Sequence, residues 1–163
     1  MWVLIFSELA VFGAGLAAFM GVRLTDPVGF ASAQNSLMIE LAGVNTIILI
    51  TSGLFAALAC IATTTRAARL WLLAASLLGV VFLWLKGIEY AAKSAAGITF
   101  ETHVFYTFYY LLTGFHAAHV IAGIVILGLV GWHAHPRVIQ TGVAFWHMVD
   151  LVWVLLFPVI YLL

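Results

Sequence analysis

The sequence predicts an all-α integral membrane protein, a single domain spanning residues 1–163 and built as a bundle of five transmembrane helices. Two observations carry this. Of its residues, 66% are hydrophobic and only 7% are charged, against roughly 25% charged in an average soluble domain. Five apolar segments also each reach the roughly 20 residues that a hydrocarbon core about 30 Å thick requires. Membrane strands would alternate apolar and polar positions over about 10 residues. These segments are apolar all round and longer, and helices satisfy their own backbone hydrogen bonds without water.

The first segment runs from Trp2 to Val22, and the loop Arg23 to Ser36 follows, with Asp26-Pro27 and Gly29 as turn signals. The N-terminus, Met1-Trp2-Val3-Leu4, lacks a basic region and a polar cleavage zone, so it reads as a retained helix. The second segment covers Leu37 to Thr65, closed by Arg66 and Arg69, and the third covers Leu70 to Ala92. Lys93 and Glu101 flank and occupy the loop through Gly97 to Thr102. The fourth runs from His103 to Trp132 with Pro136 at its exit, and the fifth from Thr141 to Tyr161. Short connections make sequence neighbours antiparallel neighbours in space. Arg66, Arg69 and Arg137 fall on the side of the N-terminus, and Arg23 and Lys93 on the other. The positive-inside rule then puts the N-terminus in the cytoplasm and the C-terminus outside.

Composition excludes several classes. Lys plus Arg equals Asp plus Glu, and no basic stretch tracks phosphates, so nucleic acid is not a partner. Cys60 is the one cysteine, in an apolar run, which leaves no disulfide framework and no thiolate metal site.

Ionisable residues in lipid are costly and usually face protein or water. Glu8 lies in the first segment, and Glu40 opens the second ahead of Asn45-Thr46. On the third, helical periodicity puts Lys86, Glu89, Tyr90 and Lys93 on one face. Lys86 with Glu89, and Glu89 with Lys93, have salt-bridge spacing; an ion network near the headgroups with snorkelling lysines accounts for them as well as any function does. The fourth carries His116 and His119 with Gly123, and the fifth carries His147, Asp150, Phe157 and Tyr161 on a broad face with Trp153 at its edge. Two small-residue stripes, Gly13, Ala17, Gly21 and Gly114, Ala118, Ala122, suit close helix approach. His-x-x-His with His-x-x-Asp admits a metal site between two helices, as in a stand-alone metal-dependent membrane enzyme. Di-iron bundles, however, use about four carboxylates. Hydrogen bonds from each histidine across the bundle, to Asp150, Glu40 or Glu89, are the expectation here. Glu8 has no cation along its own helix, so desolvation favours its neutral form unless another helix supplies one. A small transporter would show inverted repeats or broken helices, and neither is present.

Several stretches resemble subunit III of the haem–copper respiratory oxidases. They are Phe6-Ser7-Glu8-Leu9-Ala10-Val11-Phe12, Glu40 with Asn45-Thr46 and Ser52-Gly53, and Glu89-Tyr90. The most specific are Thr113-Gly114-Phe115-His116-Ala117-Ala118-His119-Val120 and Phe145-Trp146-His147-Met148-Val149-Asp150-Leu151-Val152-Trp153. Ala117 stands where that family usually has glycine, and Lys86 where long members often have a neutral amide. The five-helix length, Lys86 and the ending Phe157-Pro158-Val159-Ile160-Tyr161 are closer to its short relatives, one branch of which accompanies nitric oxide reductases. The resemblance implies a non-catalytic accessory subunit of the bacterial inner membrane that binds no cofactor itself. It would pack on a catalytic subunit holding haem with copper or iron, support proton supply and stability, and contact membrane lipids, with phospholipid as the ligand that the family admits. Glu8 falls on the family's buried, carbodiimide-reactive carboxylate.

Overall fold

A computed structural model describes residues 2–133 and 135–163. Among them are six α-helices and no strands: α1 (Trp2–Arg23), α2 (Pro27–Gln34), α3 (Ile39–Ile61), α4 (Thr65–Ala95), α5 (Val104–His133) and α6 (Pro136–Phe157). A π-helical turn, Pro158–Leu162, ends the chain. Five of the helices are long and apolar enough to cross a membrane, with α6 and its π turn forming the fifth span.

The segment read as a loop contains α2. Asp26 caps it, accepting from the Gly29 N–H at 3.0 Å, and Pro27 begins it. Both suit a helix start, because the cap satisfies an orphan N–H and proline lacks one. That cap holds the Asp26 carboxyl below its usual range, with a smaller effect from His103 across the turn. Phe30 of α2 is buried, its ring 5.4 Å from Phe19 and 5.6 Å from Phe105, so packing on α1 and α5 stabilises a helix too short to persist alone.

Other boundaries also move. Arg66 and Arg69 do not close α3; they lie in the first turns of α4, because Thr64 accepts from the Ala67 N–H at 3.2 Å and starts that helix. Pro136 opens α6 instead of ending α5. Pro158 has no N–H to continue the α ladder, and the last turn widens, with the Leu163 N–H donating to the Pro158 carbonyl at 2.9 Å.

The buried positions of α4 are Ala68, Leu72, Ala75, Gly79, Phe82, Lys86, Glu89 and Lys93, alternating steps of three and four. Those of α3 follow the same rhythm through Ala42, Asn45, Leu49, Ser52, Ala56 and Ala59. Such a seam lets two helices lie side by side along their length, and small residues bring the backbones close. Polar side chains cross it: Asn45 Nδ2 donates to the Phe82 carbonyl at 3.2 Å and Ser52 Oγ to the Ala75 carbonyl at 2.7 Å.

Trp146 of α6 joins the remaining spans. Its indole N–H donates to Ser52 Oγ at 3.1 Å. Its ring fills the space left by two glycines: a Cβ on Gly79 of α4 or Gly123 of α5 would lie 2.7 or 2.6 Å from a ring carbon. Trp153, two turns on, donates to Thr46 Oγ1 at 2.9 Å. The two stripes expected to bring helices together do not. A Cβ on Gly13 or Gly21 meets nothing within 4 Å, and Ala118 and Ala122 are exposed. The close approaches occur at other glycines that face large side chains: Gly79 and Gly123 at Trp146, Gly15 at Leu112 and Gly142 at Val130.

This separates two kinds of glycine. Gly123→Ala destabilises the fold, because overpacking costs about 1–3 kcal/mol against about 1 kcal/mol gained in helix propensity. Gly87→Ala, whose Cβ meets nothing within 4 Å, gains the propensity alone. Reversible unfolding in mixed micelles checks the opposite signs.

Candidate functional site

The candidate residues fall into separate groups. The largest surrounds Lys86, whose ammonium lies inside the bundle with the residue 2% exposed. Lys86 Nζ donates to Glu89 Oε2 at 2.8 Å, to Tyr161 Oη at 2.7 Å and, more weakly, to Tyr109 Oη at 3.4 Å. Tyr161 in turn donates to Glu89 Oε1 at 2.9 Å, closing a three-membered ring of hydrogen bonds. The rings of Tyr90, Tyr109, Trp153 and Tyr161 enclose the ammonium at 5.1–5.3 Å. A cation over aromatic faces is attracted by their quadrupoles, the more so without water.

Lys86 is therefore enclosed and does not snorkel. Lys93 does not bridge to Glu89, although its spacing allows it. Its Nζ donates to the Ser36 carbonyl at 2.8 Å, and Ser36 Oγ meets Tyr106 Oη at 2.7 Å. That contact ties the end of α4 to the segment between α2 and α3.

A second group joins α1 to α5. Glu8 Oε2 lies 3.1 Å from His119 Nε2, both half-buried. His119 Nδ1 sits 2.9 Å from the Phe115 carbonyl, which only accepts, so Nδ1 carries the proton. The other ring nitrogen, Nε2, is the one that faces the Glu8 carboxyl. The contact is not aligned as a hydrogen bond, and Glu8 Oε2 has no other partner among the described residues. α5 thus supplies the neighbour that α1 lacks.

The third group lies on α6 against α3. His147 Nδ1 approaches Asp150 Oδ2 at 3.7 Å, with 45% of the histidine side chain and 12% of the aspartate exposed. Gly53 makes room for the Asp150 carboxylate, which a Cβ there would strike. His147 lies near the middle of α6 and its side chain is 45% exposed.

Three expectations about these residues need correction. His116 is fully enclosed and neither ring nitrogen has a hydrogen-bond partner among the described residues. It is packed edge-on against Phe82 at 5.6 Å, and against Trp153 at 5.1 Å, in an apolar pocket with no carboxylate in reach. Glu40 is exposed in the first turn of α3 and reaches no histidine. The broad face expected on α6 divides: His147 is exposed, while Tyr161 is buried against Lys86. Asn45 is buried, with its Oδ1 left unpaired.

Sequence spacing missed Tyr161 and Tyr109 as partners of Lys86. They lie 75 and 23 positions away, and only a lysine on an otherwise apolar face signalled that distant partners were needed. No group of three or more His, Cys, Asp or Glu gathers at metal-binding spacing among the described residues. His119 is engaged by Glu8, and His147 lies on a different face.

Fold and site together define a multi-pass helical membrane protein whose most deeply buried charges are held by one another. The chain belongs to the cytochrome c oxidase subunit III family, whose sequence model matches residues 1–163. A cytochrome c oxidase subunit 3 of Thermostichus vulcanus is 30% identical, covering 99% of this chain and 84% of that protein. One from Pyricularia grisea is 32% identical over 96% of this chain, which spans only 64% of that longer protein. A protein of Aeropyrum pernix described as haem–copper oxidase subunit I+III is 31% identical over 99% of this chain, which spans 22% of it.

The ring of bonds around Lys86 gives an order of effects. Tyr161→Phe keeps the aromatic enclosure but removes a hydroxyl bonded to both charges, and costs about 1.5–3 kcal/mol. Tyr109→Phe, losing one long bond, costs less, about 1 kcal/mol or below. Unfolding midpoints of the two variants, compared in the same micelles, check the ranking.

Proposed function

We propose that this protein is a non-catalytic accessory subunit of a respiratory haem–copper complex, packed in the cytoplasmic membrane against the subunit that holds the metals. The observation that carries the reading is an end-to-end match to a subunit family together with an ionisable pair near the middle of α6 whose His147 member is turned outward while Asp150 is buried behind it. Lipid offers such a pair no hydrogen bonds, and intramembrane ionisable groups almost always face protein or a water-filled cavity. A neighbouring subunit covering the α3–α6 face provides that cover. The fused relative in Aeropyrum pernix, described as subunit I+III, supports subunit I as the neighbour. Haem, with copper or iron, resides in that partner.

Glu8 and His119 supply the finer role. A carboxyl and an imidazole facing each other at 3.1 Å at the bundle's edge are suited to pass a proton toward a partner without doing chemistry on a substrate. Arg66, Arg69 and Arg137 at the end that carries the start of α1 favour placing that end on the cytoplasmic side. The same features fit an accessory protein of nitric oxide reductase, and the identity of the partner separates the two readings.

Affinity purification of the tagged full chain from native membranes in mild detergent tests the proposal. The expected result is a co-purifying haem protein, with its yield reduced in His147→Leu and its turnover-dependent inactivation accelerated in Glu8→Gln. Oxygen or nitric oxide consumption by that partner identifies the complex. A haem-free single chain, or both variants matching wild type, contradicts it.

A further inference from the structure

We infer that His103 is a proton-driven switch that moves its hold between the start of α5 and Asp26 at the head of α2. His103 immediately precedes α5, and its Nδ1 accepts from the Phe105 N–H at 3.1 Å. That is the position of a helix N-cap, and the bond satisfies one of the orphan N–H groups of the first turn. A backbone N–H only donates, so Nδ1 is bare and the neutral ring carries its proton on Nε2. Nε2 faces Asp26 Oδ2 at 3.1 Å, and Asp26 Oδ1 accepts from the Gly29 N–H at 3.0 Å. One imidazole and one carboxylate therefore link the starts of two helices, and the link to α5 depends on the ring being neutral.

A second proton has one place to go, Nδ1, where it displaces the Phe105 bond and sets two N–H groups against each other. It also puts a positive charge at the positive end of the α5 dipole. The gain is on the other side, where Asp26 holds the imidazolium as an ion pair. The two side chains are 32% and 50% exposed, so that pair is worth little, of the same small order as the cap it replaces. The proton thus changes which helix His103 serves without a large change in overall stability. Asp26 stays charged throughout, because the Gly29 N–H, and then His103, hold its carboxyl below its ordinary value of 3.8. From α2 the ring faces Phe30, at 5.6 Å between centroids. Arg23 at the end of α1, Lys93 near the end of α4 and Glu101 in the connection before α5 are the other charged groups at this end. None of them forms an ion pair with His103 or Asp26 among the described residues, and Lys93 is turned to Ser36. With the start of α1 cytoplasmic, as proposed above, the switch faces outside; the exchange itself needs neither that orientation nor a partner.

The test follows the full chain in micelles by nuclear magnetic resonance from about pH 8 to about pH 5, the window in which histidine ordinarily changes charge. In wild type the Phe105 amide proton moves upfield as its bond is lost, in step with the His103 ring nitrogens, while the Gly29 amide holds its position. His103→Asn caps α5 with a side chain that does not titrate, and its Phe105 amide stays where it is. Unfolding midpoints separate the two halves of the exchange. Wild type shows no added pH dependence relative to His103→Asn, because a cap is traded for an ion pair. Asp26→Asn keeps the Gly29 cap but gives the imidazolium no anion. The stability from the neutral ring's cap is then present at the upper end of the window and lost as pH falls through it, so the midpoint of this variant falls relative to wild type. A Phe105 amide that ignores pH in wild type overturns the inference, as does one that responds equally in His103→Asn. Loss of the Phe105 and Gly29 bonds together overturns it also, since the whole end would then open without any exchange of partners. A midpoint in Asp26→Asn that tracks wild type across the window contradicts the trade in the same way.

Discussion

A bilayer interior contains no water to hydrogen-bond a buried charge, so each polar group placed there must find its partners within protein. Lys86 is where this constraint bears hardest, because its ammonium lies inside the bundle with nothing but side chains around it. Glu89 supplies the opposite charge from one turn along the same helix. Tyr161 comes from the far end of the chain and Tyr109 from α5, so satisfying one lysine ties three separate elements together. The π turn that begins at Pro158 carries Tyr161, whose hydroxyl meets both charges of the pair.

Packing elsewhere follows a simpler rule. Trp146 is large, and the positions opposite it on α4 and α5 are glycines. The indole N–H still needs an acceptor, which Ser52 provides from α3. One residue thus fixes the spacing of four helices. α1 meets α5 closely at one point, where Gly15 faces Leu112. Its buried residues, Ile5, Phe12 and Phe19, recur every seventh position and form a narrow contact line, leaving most of its circumference open. Glu8 sits beside that line, so its contact with His119 lies where the bundle is least tightly closed. His147 lies on another open face, and these two outward-facing groups are the ones for which the fold itself provides least cover.

Much of this was legible in the sequence, and the exceptions have physical causes. Five spans follow from apolar length alone, and the spacing of Lys86 and Glu89 on α4 foretold their bond. α2 was missed because Asp26-Pro27 is a turn signal and a helix start alike, and only the contact of Phe30 with Phe19 and Phe105 decides between them. Helical periodicity grouped Tyr161 with His147 on one broad face and did not announce that Tyr161 is buried against Lys86 while His147 is exposed. His116 was expected to be bonded, yet it is held as an aromatic ring among rings, which no local pattern announces. The small-residue stripes misled for a related reason. A glycine marks a close approach only if something large stands opposite, and Gly13 and Gly21 have nothing there while Gly79 and Gly123 have Trp146.

The central claim is that Lys86 and Glu89 stabilise the bundle as a unit and not as two independent residues. A double-mutant cycle with Lys86→Met, Glu89→Leu and both together measures this directly, through reversible unfolding in mixed micelles. Breaking a buried pair strands a charge and costs about 3–5 kcal/mol for either single variant, whereas replacing both partners by apolar residues costs far less than the sum. The account predicts that large positive coupling. Additive losses in the double variant would show that the two charges act separately, and would contradict it.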